Sequence, residues 1–184
     1  MNKSWVKAGL LYLLATFLAA CGGQQAIEAP SMECEDLLID DSGFLAEWSR
    51  GQPIEDAHYG AIEGCGVDFY VVSGVAVETV YKYSDEAAAQ DGYQLLLDIA
   101  FPTNQDDTFL ESPPEIPAST TADDFQVFCF HQNTIPMCGA VARYDAYVVH
   151  FNTHMRPEFI SVDDVENILQ AIDGKMSQHL KHEG

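Results

Sequence analysis

The sequence predicts an α+β fold, in which an antiparallel β-sheet packs against two main helices and two disulfides staple the chain. Three observations support this fold class. Apolar and polar residues alternate over residues 67–83 and 125–154, which is typical of strands. Apolar residues recur at helical spacing over residues 85–101 and 161–180. Four cysteines follow residue 33, and an even number is typical of disulfide-bonded exported domains.

The first predicted strand is long and covers residues 67–83. A tight hairpin at Ser73 and Gly74 would place Val71 opposite Ala76 and divide the apolar residues between two faces. We therefore predict one long strand that bends or bulges at Gly74. Its apolar residues then share one face: Val67, Phe69, Val71, Val75, Val77, Tyr81 and Tyr83.

Two helices and a long loop are predicted around the remaining strands. The first helix covers residues 85–101, with Ser84 as its N-cap. Its predicted buried stripe is Ala88, Gly92, Leu95, Leu96 and Ile99. The last helix begins at Ser161, where Ser161 and Asp164 resemble a capping box. Its predicted buried stripe is Val165, Ile168, Leu169, Ile172, Met176 and Leu180. Residues 103–124, rich in Pro, Asp, Ser and Thr, are predicted to form a long surface loop.

Three further strands are predicted to form an antiparallel meander over residues 125–154. The register that keeps each apolar set on one face pairs Cys129 with Cys138 and Met137 with His154. That register gives one core face: Phe125, Val127, Cys129, Cys138, Ala140, Ala142, Tyr144, Tyr147, Val149 and Phe151.

The four cysteines of the folded part allow three disulfide pairings. Directly opposed residues of a hairpin have Cα atoms about 4.5–5.5 Å apart, which a disulfide can bridge. This geometry favours Cys129–Cys138 and leaves Cys34–Cys65 as the other pair. No C-x-x-C motif is present, so neither a zinc knuckle nor a thioredoxin-like redox site is predicted.

Residues 1–20 have the features of a targeting signal rather than of the fold. Lys3 and Lys7 give the start of this segment a positive charge. The apolar stretch that follows, from Ala8 to Ala20, is shorter than the roughly 20 residues that a membrane-spanning helix needs. The stretch ends in Leu18-Ala19-Ala20-Cys21, which resembles the lipobox of bacterial lipoproteins. That resemblance implies cleavage before Cys21, acylation of its thiol and a lipid bilayer as partner.

Lipid anchorage would divide the chain into three parts: a signal peptide (1–20), a flexible tether (21–33) and one extracytoplasmic domain (34–184). The outer membrane is a possible location in a host with two membranes, because Gly22 is not the aspartate that retains resembling lipoproteins at the inner one. Loss of the signal leaves six basic residues against 29 acidic ones, a net charge of about −23. Such a chain repels nucleic acid, so we predict no nucleic-acid partner.

The opposite face of the meander is the predicted ligand-binding surface. It combines apolar, aromatic and polar groups, as binding pockets do: Phe128, Met137, Gly139, Arg143, His150, Asn152 and His154. A small molecule, a peptide or an envelope protein would bind there. The alternative is that a helix covers half of this face and that the histidine and asparagine side chains lie at its solvent-exposed edge. His150 and His154 are about 13 Å apart along a strand, so we predict no metal, and no other cofactor is indicated.

The sequence therefore favours a non-enzymatic binding or accessory module of the cell envelope. It contains no recognisable catalytic motif. The alternative function is a small hydrolase with an unrecognised arrangement of His and carboxylate groups, for which Ser42, Asp41 and His58 are the available residues.

Mass spectrometry of the protein extracted from membranes tests the predicted anchor. We expect the mature chain to begin at Cys21 and to carry acyl chains, because two or more chains hold a protein at a bilayer where one does not. Substitution Cys21→Ala should release the domain from the membrane fraction. An unmodified thiol at Cys21, or cleavage at another residue, would contradict the lipobox.

Overall fold

The structure, a computed structural model, describes residues 34–44, 47–72, 74–100, 108–109, 115–132, 134–156 and 158–183. The predicted signal, lipobox and tether lie outside these residues. The strands are β1 (Ser49–Arg50), β2 (Ile54–Glu55), β3 (Glu63–Val71), β4 (Gly74–Lys82), β5 (Thr108–Phe109), β6 (Asp124–Gln132), β7 (Ile135–Tyr144) and β8 (Tyr147–His154). The helices are α1 (Cys34–Leu37), α2 (Glu86–Ala100) and α3 (Val162–Glu183), and Asp41–Gly43 form a 3₁₀ turn.

Within this part of the chain all strands belong to one antiparallel sheet. Its order is β1-β3-β4-β8-β7-β6-β5, and β2 pairs with β3 beside β1. Helices α2 and α3 pack on opposite faces of the sheet, each over its own hydrophobic core. The predicted α+β class is confirmed.

The predicted meander is confirmed in register as well as in order. Cys129 faces Cys138 and Met137 faces His154. The Cys129–Cys138 disulfide is present, with Cα atoms 4.2 Å apart. Cys65 is buried on β3 and is disulfide-bonded. The side chain of Cys34 lies outside the described part of the chain, so the pairing Cys34–Cys65 stays a prediction.

The predicted long strand over residues 67–83 is wrong, because two strands joined by a hairpin occupy it. Val71 pairs with Gly74, and Phe69 pairs with Ala76 across the hairpin. The apolar residues are indeed divided between two faces, as the register argument requires. That division is tolerated because the sheet is buried on both sides: Phe69 faces the core of α3, and Tyr81 faces the core of α2.

Helix α2 buries a different stripe from the predicted one. The buried residues are Ala89, Gly92, Tyr93, Leu96 and Ala100. Leu95 and Ile99, which the sequence places in the stripe, are 44% and 49% exposed. Close contact at Gly92 sets this orientation, since an added Cβ there would lie 2.2 Å from the Tyr83 ring.

The two long helices differ in how well their N-caps can be predicted. In α3 the capping box is confirmed, because the Ser161 N–H donates to Asp164 Oδ2 and the Asp164 N–H donates to Ser161 Oγ. In α2 the predicted cap Ser84 is wrong. Asp85 Oδ1 accepts the N–H of Ala88 at 2.9 Å and so satisfies one of the free donors of the first turn.

Glu78 is a carboxyl group buried in the core under α3. Its side chain is fully buried on β4, opposite Val67. Oε2 accepts the Ile39 N–H at 3.0 Å, whereas Oε1 makes no hydrogen bond among the described residues. Burial raises the pKa of Glu78 to about 8, against smaller opposing effects of the Ile39 N–H and the charges of Arg50 and Lys175. Glu78 is therefore largely protonated at neutral pH.

The raised pKa of Glu78 predicts a specific pH dependence of folding. Its folded-state pKa lies above the ordinary value of 4.5, so its contribution to stability is complete below about pH 4.5 and is lost as the pH rises towards 8. This contribution to the free energy of unfolding should fall by on the order of 4 kcal/mol over that range. The stability of Glu78→Gln should lack this decline. Urea titrations between pH 5 and 9 measure the difference.

Subtracting the two profiles removes the effects of all other ionisable groups, including the histidines. Glu55→Gln, at an exposed carboxyl of β2, is the matched control and should keep the decline. Parallel profiles for the wild type and Glu78→Gln would show that Glu78 is ionised in the folded state.

Candidate functional site

The predicted ligand face lies on the side of the sheet that carries α2. Phe128 and Val141 are buried there with Leu96 of the helix. Gly139 of this face is closely packed, because an added Cβ would lie 2.5 Å from the Phe128 ring. Met137, Asn152 and His154 remain half-exposed. The structure thus agrees with the alternative in which a helix covers part of this face.

His150 occupies the middle of this face. It lies between Thr79 of β4 and Val141 of β7, with its ring centroid 6.1 Å from that of Phe128. Burial lowers the pKa of His150 to about 4, so the imidazole is neutral at physiological pH. Burial also lowers the pKa of His154, with a smaller contribution from Arg156. A neutral, packed imidazole suits a structural role here.

Arg143 is engaged by carboxylates at the other end of the meander. Its Nε donates to Asp124 Oδ2 at 2.7 Å, and Nη1 lies 3.3 Å from Asp123 Oδ2. The guanidinium therefore links the start of β6 to β7.

The residues of the alternative hydrolase do not form a catalytic arrangement. The Ser42 N–H donates to Asp40 within the 3₁₀ turn. His58 Nε2 lies 2.6 Å from Asp56 Oδ1, and both belong to the segment before β3. No hydrogen bond joins Ser42 or Asp41 to His58 in the described part of the chain.

A concave groove lies on the other side of the sheet, against α3. It lies between α3 and residues 116–121, with a volume of about 540 Å³. Ile116, Phe125 and Leu169 supply apolar surface. The polar lining includes Ser119, Thr120, Thr121, Glu166, Gln170, Asp173, Ser177, Gln178 and Lys181.

Asp173 fixes the two walls of the groove to each other. Its carboxylate oxygens both lie 2.7 Å from Ser119 Oγ on the opposite wall. The buried Tyr144 hydroxyl of β7 also donates to it. Ser119 Oγ in turn accepts the N–H groups of Thr121 and Ala122 at 3.1 and 2.9 Å. This network, which we call the Asp173 clamp (Ser119, Tyr144 and Asp173), shapes the coil against the helix.

The electrostatics of the clamp agree with a structural role. Burial, followed by the hydrogen bond to Asp173, raises the pKa of Tyr144 well above its ordinary value. The tyrosine therefore stays protonated and keeps donating to the carboxylate.

Gly174 lies on the helical wall of the groove. A Cβ added to it would meet no atom of the described residues within 4 Å. A glycine inside a helix costs about 1 kcal/mol relative to alanine. Contacts with the described residues supply no packing reason. The missing side chain instead leaves the helix backbone accessible from the groove.

Sequence reasoning missed this groove because its two walls are distant in sequence. Ser119 and Asp173 are 54 residues apart, and no local pattern pairs them. The sequence signal that could have indicated the groove is Gly174, a glycine on the polar side of an otherwise regular amphipathic helix.

The similarity of this chain to known proteins is a similarity of fold. The chain is similar to the extracellular domain of PknH from Mycobacterium tuberculosis, with 14% sequence identity and a TM-score of 0.58 over 80% of this chain and 98% of that domain. An uncharacterized protein from Mycobacterium smegmatis, the Rv0999 ortholog, gives 11% identity and a TM-score of 0.41 over 78% of this chain and 98% of its own. No protein-family model and no curated protein matches the sequence. No helix in the described ranges is long and apolar enough to cross a bilayer.

Substitution by alanine should have opposite effects on stability at Gly174 and at Gly92. Gly174→Ala should stabilise the protein by about 0.5–1 kcal/mol, because alanine is the better helix former and its methyl group meets open space. Gly92→Ala should destabilise it by about 1–3 kcal/mol, because its methyl group collides with Tyr83. Chemical denaturation measures both. Destabilisation by Gly174→Ala would show that the site is not open.

Proposed function

We propose that this chain is a lipid-anchored extracytoplasmic lipoprotein that binds a ligand in the groove between α3 and residues 116–121. The lipobox-like residues ending at Cys21 support the anchor. The disulfide Cys129–Cys138 supports an oxidising compartment outside the cytoplasm. The similar fold of the PknH extracellular domain is in keeping with such a location.

The observation that carries the binding role is the open helix wall at Gly174. The groove has the size of typical ligand sites, about 300–1,000 Å³, and the usual mixture of apolar surface with directed polar groups. Gly174 costs helix stability and gains no contact with the described residues. A ligand that lies against the helix backbone would explain why a side chain is absent there.

Binding explains the groove better than catalysis does. Ser119 Oγ and the Asp173 carboxylate are both used by the Asp173 clamp, and the Glu166 carboxylate accepts a hydrogen bond from Gln170. No histidine is among the residues that line the groove. A serine without a base that can take its proton is a poor nucleophile.

The half-exposed sheet face around His150 is the second candidate site. Its Asn152 and His154 are accessible next to apolar Met137. The neutral imidazole of His150 could accept or donate one hydrogen bond to an uncharged ligand.

Ligand-induced stabilisation of the full-length protein distinguishes the two sites. Oligosaccharides, short peptides, polyamines and fatty acids are screened by thermal shift, since a ligand at 100 times its Kd stabilises by about 2.7 kcal/mol. We expect Gly174→Met, which fills the groove wall, to abolish the shift of a hit. His150→Ala should leave that shift unchanged.

Two results would contradict the groove. Loss of the shift in His150→Ala alone would move the site to the sheet face. Hydrolytic turnover that disappears in Ser42→Ala would replace the binding role with the alternative enzyme. Gln94→Met, at an exposed position of α2, controls for the effect of a surface methionine.

A further inference from the structure

The polar lining of the groove consists mainly of uncharged groups that both donate and accept hydrogen bonds. Amides and hydroxyls project from both walls: Thr120, Thr121, Gln170, Ser177 and Gln178. Only two of the 29 acidic residues of the chain, Glu166 and Asp173, are among the residues that line the groove. A site made of amides and hydroxyls matches a ligand that is itself neutral and rich in hydroxyl groups.

The charged groups of the groove do not favour an ionic ligand. Asp173 is occupied by Ser119, Tyr144 and, at 3.4 Å, the Thr120 N–H. Glu166 accepts a hydrogen bond from Gln170 at 3.0 Å. Lys181 is the one basic residue of the lining, too few to hold an anion against the strongly negative charge of the protein.

The apolar part of the groove suits a sugar ring. Phe125 and Ile116 are half-buried, so each still presents surface to the groove. A pyranose has an apolar face of C–H groups and a rim of hydroxyls. Such a ring can place its C–H face on the aromatic and aliphatic surface while its rim meets the amides of Gln170 and Gln178.

The length of the groove indicates a chain of sugars. Its lining on α3 runs from Glu166 to Lys181, which at 1.5 Å per residue is about 22 Å. This length is several times the length of one sugar ring. Gly174 lies near the middle of the run, where a ring can approach the helix backbone closely.

We propose that the groove binds a neutral oligosaccharide, with one ring seated against Gly174 and the flanking rings hydrogen-bonded by Gln170 and Gln178. This inference rests on the proposed function and names its ligand class. A peptide bound by strand addition fits less well, because that mode needs the free edge of a strand. The wall here is a helix whose backbone bonds are internal.

Isothermal titration of the full-length protein, in a detergent without a sugar headgroup, tests the ligand class. The probes are the uncharged tetrasaccharides cellotetraose, maltotetraose and chitotetraose, with a neutral tetrapeptide and spermidine as competitors of other chemistry. We expect saturable binding of at least one tetrasaccharide and of neither competitor. Saturation-transfer NMR should show the strongest transfer to the C–H protons of one ring face.

Matched variants connect that binding to the groove. The double substitution Gln170→Ala with Gln178→Ala should weaken it about tenfold or more, since it removes two hydrogen-bonding amides. Gly174→Ala should weaken it about fivefold while raising the thermal midpoint, so loss of folding cannot explain the loss of binding. Gln94→Ala on α2 should leave the affinity unchanged.

The outcomes separate the ligand class from the binding role. If the tetrapeptide or spermidine binds and the groove variants weaken that binding, the ligand is not a saccharide but the groove is still a binding site. If a tetrasaccharide binds with the same affinity to the wild type and to all groove variants, both the saccharide class and the groove as its binding site are wrong. Absence of binding by every tetrasaccharide would overturn the proposed class.

Discussion

Burial of both faces of the central strands is the constraint on which the rest of the structure depends. β4, β8 and β7 are covered by α3 on one side and by α2 on the other. Two covered faces allow the β3–β4 hairpin to divide its apolar residues between both sides of the sheet. They also require close approach of helix and sheet, which glycine provides at Gly92 under the Tyr83 ring.

Polar groups inside such a two-sided sheet must be neutral or fully hydrogen-bonded, and the chain uses both solutions. Glu78 and His150 are neutral at physiological pH, because burial raises the pKa of the carboxyl and lowers that of the imidazole. Asp173, at the edge of the core, is hydrogen-bonded by the donating hydroxyls of Ser119 and Tyr144. This difference explains why Asp173 can organise a site at the surface whereas Glu78 mainly couples stability to pH.

The candidate site combines a rigid wall with an irregular one. Helix α3 is tied to the sheet by its buried stripe, and the coil of residues 116–121 is tied to the helix by the Asp173 clamp. Preorganisation of this kind reduces the entropy that a ligand must overcome when it orders its site. The polar lining of the groove consists mainly of uncharged amides and hydroxyls, beside Glu166, Asp173 and Lys181. The proposed lipid anchor would keep this groove at the membrane surface.

The sequence by itself determined the features that depend on neighbouring residues. The meander register, the Cys129–Cys138 disulfide, the Ser161–Asp164 capping box and the buried stripe of α3 follow from period, spacing and local hydrogen bonding. The α+β class followed from the same patterns.

Tertiary structure alone decided the rest, because those features depend on what lies across the sheet. Apolar residues on both sides of β4 cannot be distinguished by periodicity from one continuous face, so the sequence predicts a bend at Gly74 where the structure has a hairpin. The rotation of α2 that exposes Leu95 depends on Tyr83 beneath Gly92. The groove depends on a contact between Ser119 and Asp173, and no local spacing encodes a partner 54 residues away.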